Sequence, residues 1–110
     1  MSARVSTALL SVTRVIPADH PSFAGHFPGQ PLLPGVLLLA EVMEALQAVP
    51  ALSARLGPRP GIVSAKFFAP VEPGNTITIT LKDAVTGLRF ELHCGVVLAA
   101  SGQLIADALP

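Results

Sequence analysis

Hydrophobic and polar positions follow two different periods along the chain. Residues 76–80, with the sequence TITIT, alternate strictly between polar and apolar side chains. This alternation is typical of a strand with one wet face and one packed face. In residues 35–49, the polar side chains Glu41, Glu44 and Gln47 recur every third position among apolar neighbours. That pattern predicts a helix that is apolar over most of its surface and is therefore buried.

Residues 4–16 are rich in β-branched residues, which predicts a strand, and the other short apolar segments are also predicted to be strands. Pro34 and Pro50 bound the predicted helix, because proline is tolerated at a helix start and cannot continue a helix. Turns are predicted at 72–75 and 86–87, and Gly102 inside the last strand predicts a β-bulge. The predicted strands cover residues 4–16, 61–68, 76–82, 88–94 and 96–106. One strand, a loop, one buried helix and an antiparallel meander together predict a single α+β domain over residues 1–110.

A segment rich in proline and glycine separates the first strand from the helix. Residues 17–34 hold five prolines and two glycines, which exclude a regular helix or a central strand. The segment also holds apolar residues that predict a loop packed onto the domain, namely Phe23, Phe27, Leu32 and Leu33. Loops of this length in small domains are usually functional or disordered, so we expect an ordered functional loop.

Composition limits the partners and the compartment. The 110 residues are 51% hydrophobic and 13% charged with zero net charge, so we expect surplus apolar surface to be buried against a second copy. The seven basic residues are scattered, which argues against a nucleic-acid partner. No signal peptide is recognisable and the apolar run 36–40 is too short for a membrane span, so a cytoplasmic protein is expected. His93 and Cys94 lack partners at metal-ligand spacing, so no metal is expected.

The residues that suit chemistry lie where the loop enters the helix. His26 lies between proline-braced turns, so the position of its ring can be fixed. The helix start has no Ser, Thr, Asp or Asn at the capping position, so its first backbone N–H groups lack an obvious partner. Such groups, at the positive end of the helix dipole, suit a developing oxyanion. A general base beside an oxyanion donor is what proton abstraction next to a carbonyl requires.

Two segments resemble a known enzyme family. Residues 26–37, HFPGQPLLPGVL, resemble the active-site signature of the 3-hydroxyacyl-acyl-carrier-protein dehydratases of fatty-acid synthesis. Residues 66–74, KFFAPVEPG, are similar to that family's second landmark. The resemblance covers most of the chain. Within the family, the chain looks more similar to compact members that serve specialised acyl pathways. It implies a hotdog fold, an antiparallel sheet wrapped around one long central helix.

The resemblance also implies partners and residue roles. It implies a dimer whose sheets run together, with active sites at the subunit interface, a carrier-protein-bound substrate and no cofactor. His26 corresponds to the histidine that removes the α-proton, and the Leu32 carbonyl to the group that accepts a hydrogen bond from its ring. The Gly35 amide corresponds to the donor for the thioester oxygen. Phe27 and Val36, beside these groups, complete the expected substrate-binding set.

The acid position of the family is occupied by an alanine. The family places Glu or Asp six residues after the proline of PGVL, where this chain has Ala40. Glu44 lies one helical turn on, about 40° from the direction of position 40, and helical side chains lean back toward the N-terminus. Glu41 is rotated by about 100° and is the second candidate. Both carboxylates are equally compatible with a solvated or interface stripe.

These features predict two functions of different classes. The first is a dehydratase that eliminates water from a 3-hydroxyacyl thioester, with His26 as acid and base. The second is a non-catalytic hotdog subunit that binds acyl chains or completes a heterodimer with another hotdog subunit, which supplies the acid. The intact His26 loop favours the first function and Ala40 favours the second. A hotdog thioesterase is a weaker third alternative, because the loop resembles the dehydratase type.

Overall fold

One antiparallel sheet and two helices make up the described part of the chain, residues 8–17, 35–72 and 74–106 of a computed structural model. In chain order the elements are β1 (Ala8–Val15), α1 (Gly35–Gln47), α2 (Pro50–Leu56), β2 (Gly61–Phe67), β3 (Thr76–Ala84), β4 (Gly87–Cys94) and β5 (Val97–Ile105). The strands lie in the order β1-β3-β4-β5-β2, and all neighbouring pairs are antiparallel. β1 and β2 are therefore the two edge strands of the described sheet.

The core lies between α1 and one face of the sheet, which we call the inner face. Alternate positions on β3 and β4 are fully buried there, as the TITIT pattern predicts: Ile77, Ile79, Leu81, Leu88, Phe90 and Leu92. Leu38, Val42 and Leu46 of α1 belong to the same buried cluster. The side chains between these sheet positions point to the opposite side, the outer face. The predicted α+β hotdog architecture is thus confirmed.

The helical segment is longer than predicted and is broken in two. Pro50 was expected to end the helix, yet it is also the first residue of α2, a helix absent from the sequence-based prediction. Proline lacks the N–H that a helix start leaves unpaired, so it can begin the new helix while ending the old one. Leu52 and Leu56, one turn apart, bury α2 in the core.

The apolar character of the helices comes from their place in the core. By length and hydropathy, no single helix of the described ranges could span a membrane. Only α1 and α2 taken together pass that test, and a bend of 113° lies between them. Since Leu38, Val42, Leu52 and Leu56 all join the buried cluster, the core accounts for this composition.

Gly102 does not mark a β-bulge, which corrects the prediction made from its position inside a strand. It pairs in regular register with Phe90 on one side and Ala65 on the other. A Cβ on Gly102 would lie 2.1 Å from the Ser64 carbonyl oxygen and 2.6 Å from the Phe90 ring. The glycine therefore makes room for close approach of backbone and ring. The register shifts between β5 and its neighbours lie elsewhere, between Ile62 and Ser64 and after Leu92.

The turn predicted at 72–75 is confirmed. The other turn, predicted at 86–87, begins one residue earlier in the structure. The Asn75 amide donates to the Glu72 carbonyl oxygen at 3.1 Å, and the Glu72 amide donates to Asn75 Oδ1 at 2.7 Å. Gly74 has φ of +82°, which suits glycine. The second turn occupies residues 85–86, and β4 starts at Gly87.

Candidate functional site

The predicted catalytic centre is only partly within the described structure. Three of its predicted residues lie in the range 18–34, outside the described residues: His26, Phe27 and Leu32. Gly35 is the first residue of α1, and the side chain of Val36 is not among those described. The described part of the centre therefore consists of the start of α1, the polar face of α1, and the strands that contact one or the other of them.

A phenylalanine ring covers the start of α1. Phe67, the last residue of β2, pairs with Ala100 and faces the inner side of the sheet. A Cβ on Gly35 would lie 3.1 Å from Cε1 and Cζ of Phe67, so the absent side chain lets the helix start approach the ring. Phe67 is still 48% exposed and thus borders the predicted oxyanion donor on an accessible surface. Sequence analysis assigned Phe67 no role, because its contact with Gly35 joins segments far apart in the chain.

Position 40, where the resembled family carries its acid, lies at the surface of this chain. Ala40, Glu44 and Gln47 are all exposed, and their spacing places them on one side of α1. Glu41 is only partly exposed, toward the border of this side. A molecule that covers the exposed side of α1 would therefore contact position 40 directly.

An arginine from the opposite edge of the sheet engages both candidate acids. Arg14 of β1 pairs with Ile77 and so projects to the inner side of the sheet. Its Nη1 donates to Glu41 Oε1 at 3.2 Å and also contacts Glu44 Oε1. The Arg14 and Glu41 side chains are 26% and 23% exposed, whereas Glu44 is 69% exposed. The structure thus brings Glu41 and Glu44 together around one guanidinium, a contact that sequence analysis missed.

The two carboxylates favour the charged form of the Arg14 guanidinium. The hydrogen bond from Arg14 to Glu44 raises the pKa of Arg14, burial opposes that rise, and the Glu44 charge and the contacts with Glu41 add to it. Each carboxylate uses Oε1 toward Arg14, which leaves its Oε2 for another donor. Chemically, the cluster can accept hydrogen bonds from a hydroxyl group or a water molecule beside the exposed side of α1.

The polar residues of β4 form no metal centre. Within the described ranges, no group of three or more His, Cys, Asp or Glu side chains converges on one point. Cys94 is a free thiol whose sulfur lies 4.0 Å from Asn75 Oδ1. Burial raises the pKa of this thiol, which favours its protonated and less reactive form.

Comparison with known families and relatives gives a consistent result. The family model described as ApeI-like, ApeI dehydratase, matches residues 2–103. The 3-hydroxyacyl-[acyl-carrier-protein] dehydratase FabZ of Desulforamulus reducens is 32% identical over 99 residues, covering 82% of this chain and 70% of the relative. The FabZ of Rhizobium rhizogenes is 32% identical over 84% of this chain and 61% of its own length. The Chlamydia trachomatis FabZ is 30% identical over 94% of this chain and 75% of its own length.

Solved structures share the fold. The dehydratase heterocomplex ApeI:P from Xenorhabdus doucetiae superposes with a TM-score of 0.67 and 25% identity, over 93% of this chain and 99% of that one. An uncharacterised protein from Erwinia carotovora subsp. atroseptica gives 0.68 and 31%, over 86% and 79%. The fluoroacetyl-CoA-specific thioesterase FlK gives 0.60 at 21% identity, over 94% and 86%. Because dehydratases and a thioesterase share this fold, the fold alone does not select the chemistry.

Proposed function

Because the chain belongs to the ApeI-like dehydratase family, we propose that it serves to eliminate water from a 3-hydroxyacyl thioester, giving the trans-2-enoyl thioester. The family match over residues 2–103 carries this proposal. The names of the FabZ relatives support an acyl-carrier-protein-bound substrate. A thioesterase finds less support, since the FlK likeness shows the fold alone.

In the proposed reaction, His26 removes the α-proton while the Gly35 amide donates a hydrogen bond to the thioester oxygen. The developing enolate-like charge falls on that oxygen, where the first N–H groups of α1, which have no partner within the helix, can donate. The Cβ–O bond then breaks, and His26 gives the proton that it removed to the leaving hydroxyl group, which departs as water held by a carboxyl group. The Leu32 carbonyl orients the imidazole, while Phe27 and Val36 contact the substrate.

Phe67 is proposed to form a wall for the substrate beside Gly35. A glycine at this position lets the ring and the helix start lie close together. A bound thioester oxygen would then be shielded from water on that side, which strengthens its hydrogen bond to the amide.

We propose that Glu44 accepts a hydrogen bond from the leaving hydroxyl group, with Glu41 as the second candidate. Glu44 is exposed one turn from Ala40 on the same side of α1. Its contact with Arg14 draws the carboxylate toward β1, so it would serve position 40 less directly than a side chain at that position. Since errors in position of about 1 Å can cost on the order of 10² in rate, we expect low activity from the protein alone.

A subunit that completes a heterodimer is the second candidate function. Ala40 is exposed, and the structural relative from Xenorhabdus doucetiae is a dehydratase heterocomplex. In this alternative, a second hotdog subunit would contact the exposed side of α1 and supply the missing acid against His26. The outer edge of β2 in the described sheet, with Ile62 and Val63 47% and 56% exposed, is the proposed place where the two sheets join.

One kinetic series tests both functions on a single 3-hydroxyacyl-carrier substrate. We expect His26→Ala to lower turnover by about 10²–10⁴, as for loss of a general base. Glu44→Gln should reduce the low activity further, Glu41→Gln should change it little, and Ala40→Glu should raise it. Two carboxylates so close could instead hold one of them protonated, which would limit the gain from Ala40→Glu.

The same series separates the alternatives when a second hotdog subunit is added. A dehydratase in its own right turns over substrate alone and responds to Glu44→Gln. If Glu44→Gln matches the unmodified protein and Ala40→Glu creates activity from none, the native chain is a non-catalytic subunit. If the His26→Ala variant turns over substrate as fast as the unmodified protein, with or without the second subunit, the proposed mechanism is excluded.

A further inference from the structure

Arg14 holds the two candidate carboxylates of α1 from one side. Its Nη1 donates to Glu41 Oε1 at 3.2 Å and also contacts Glu44 Oε1, so both carboxylates converge on a single nitrogen atom. Arg14 and Glu41 are mostly buried, whereas Glu44 is 69% exposed. The arginine is therefore fixed against the fold, and Glu44 is the freer member of the cluster, which the arginine can draw in.

Helix geometry gives the direction in which this contact pulls. Successive residues of an α-helix are rotated by about 100°, so Glu44 projects about 40° and Glu41 about 100° to the same side of position 40. Met43 projects about 60° to the other side. A guanidinium that contacts both carboxylates therefore lies on the flank of α1 that faces β1, and it turns the Glu44 carboxylate away from Ala40.

The strength of this restraint has an upper bound. Glu44 is largely exposed, and an ion pair between exposed charges favours its closed arrangement by at most about fivefold. Arg14 also engages Glu41, so its guanidinium is shared between two acceptors. Arg14 is thus expected to limit how often Glu44 reaches position 40 without preventing it altogether.

We propose that Arg14 is a positioning residue that keeps the acid position clear of this chain's own carboxylates. The inference rests on the proposed function, in which Glu44 assists the leaving hydroxyl group near position 40. Because Arg14 holds Glu44 at the flank of α1 for most of the time, the chain alone turns over slowly. The same arrangement leaves the exposed surface at Ala40 open to an acid from a second hotdog subunit.

Release of Glu44 should raise activity, an effect that damage to the fold would not produce. On the 3-hydroxyacyl-carrier substrate, Arg14→Gln should raise kcat of the chain alone by roughly two- to fivefold, the range that an exposed ion pair allows, and leave KM unchanged. Arg14→Lys keeps the positive charge and should stay near the unmodified value. In a Glu44→Gln background, Arg14→Gln should have no further effect, because the carboxylate that it releases is gone.

Lys82→Gln is the matched control for loss of a cation. Lys82 Nζ lies 3.3 Å from Glu91 Oε1, and the two side chains are 25% and 22% exposed, close to the values for Arg14 and Glu41. This pair lies on the outer face of the sheet, so its loss should leave kcat unchanged. An equal rise in Lys82→Gln, or a kcat that stays the same or falls in Arg14→Gln, would overturn the restraint.

A thiol at position 40 tests the restraint without turnover. Ala40→Cys is combined with Cys94→Ser, which removes the one native cysteine, and the rate of alkylation by iodoacetamide is measured at pH 7. In this background, Arg14→Gln should slow alkylation by roughly threefold, since a released carboxylate about 6 Å away disfavours the reactive thiolate. Adding Glu44→Gln should restore most of the rate.

The two measurements separate failure of this inference from failure of the proposed function. If alkylation slows in a manner that depends on Glu44, while every variant fails to dehydrate the substrate, the reaction by the chain alone is refuted and the restraint is kept. Dehydration with the same kcat in Arg14→Gln, together with an unchanged alkylation rate, would keep the reaction and refute the restraint. Slowed alkylation that persists in Glu44→Gln would also refute the restraint, because the charge of the arginine itself would then be the cause.

Discussion

Gly102 occupies a position where no side chain fits. Its neighbours are backbone and a core ring, the Ser64 carbonyl oxygen and Phe90, both nearer than 3 Å to a Cβ built there. Backbone in the middle of a paired strand cannot retreat without breaking the ladder. The position therefore requires glycine because of the atoms around it, with no need of an unusual backbone angle.

Gly102→Ala should destabilise the fold by about 1–3 kcal/mol, the usual cost of an added carbon in a packed interior. Gly61→Ala is the matched control, because its Cβ would meet only the Ile105 side chain, with Cγ1 at 3.3 Å and Cδ1 at 3.7 Å. We expect the control to cost less than about 0.5 kcal/mol. Urea unfolding of the two variants measures both values, and equal midpoints would contradict the packing argument.

Residues that contact across the fold were the ones that sequence analysis could not predict. The roles predicted for His26 and for position 40 rest on one short motif with fixed spacing. Phe67 beside Gly35 and Arg14 beside Glu41 join residues about thirty positions apart, and such contacts depend on the tertiary fold. Periodicity reports only which face of an element is apolar.

At the level of elements, hydrophobic period predicted the type of each segment better than its ends. The strict alternation in β3 gave its buried face correctly, and the apolar surface of α1 gave a core helix. α2 was missed because Pro50 was interpreted only as a stop signal, although Leu52 and Leu56 repeat at helical spacing. A proline therefore marks a boundary but does not determine whether the next element is a helix, a strand or a loop.

An ion pair fastens α2 to the end of β3. Arg55 Nη2 donates to Asp83 Oδ1 at 2.6 Å, and this hydrogen bond, with the charge of Arg55, holds the pKa of Asp83 below its ordinary value of 3.8. A carboxyl group whose pKa is lower in the folded state stabilises the fold above its unfolded pKa and loses that contribution as pH falls.

The pH dependence of folding tests this pair. Between pH 7 and pH 2, Asp83→Asn should lose less stability than the unmodified protein, because it no longer has this carboxyl group to protonate. The difference should be small, since both side chains are exposed. Unfolding midpoints measured across this range provide the comparison. Parallel pH curves for the two proteins would show that Asp83 contributes nothing.

At the scale of the whole molecule, both edges of the described sheet expose apolar side chains. β1 exposes Leu9 and Val15 and is joined to α1 by Arg14, whereas β2 exposes three such residues, Ile62, Val63 and Phe67. An open apolar edge invites pairing with another strand. Together with a chain that is 51% hydrophobic, this favours an assembled form over a monomer.

Light scattering should therefore give twice the 11.3 kDa mass of one chain, or a mixed dimer when a hotdog partner is present. Val63→Lys places a charge on the β2 edge and should shift the protein toward monomer. Val85→Lys is the control, because Val85 is fully exposed in the turn between β3 and β4 and should leave the mass unchanged. A monomer at micromolar concentration in the unmodified protein would remove the interface model.

The exposed alanine at position 40 has a consequence for the amounts in which subunits are made. If a partner supplies the acid, every dimer built from two copies of this chain has an empty acid position at both of its centres. Surplus copies would then form homodimers in competition with the active heterodimer. Overproduction of this chain would therefore not raise the yield of enoyl product and could lower it. The cell would gain most from balanced synthesis of the two subunits, which places selection on joint expression as much as on the chemistry of either chain.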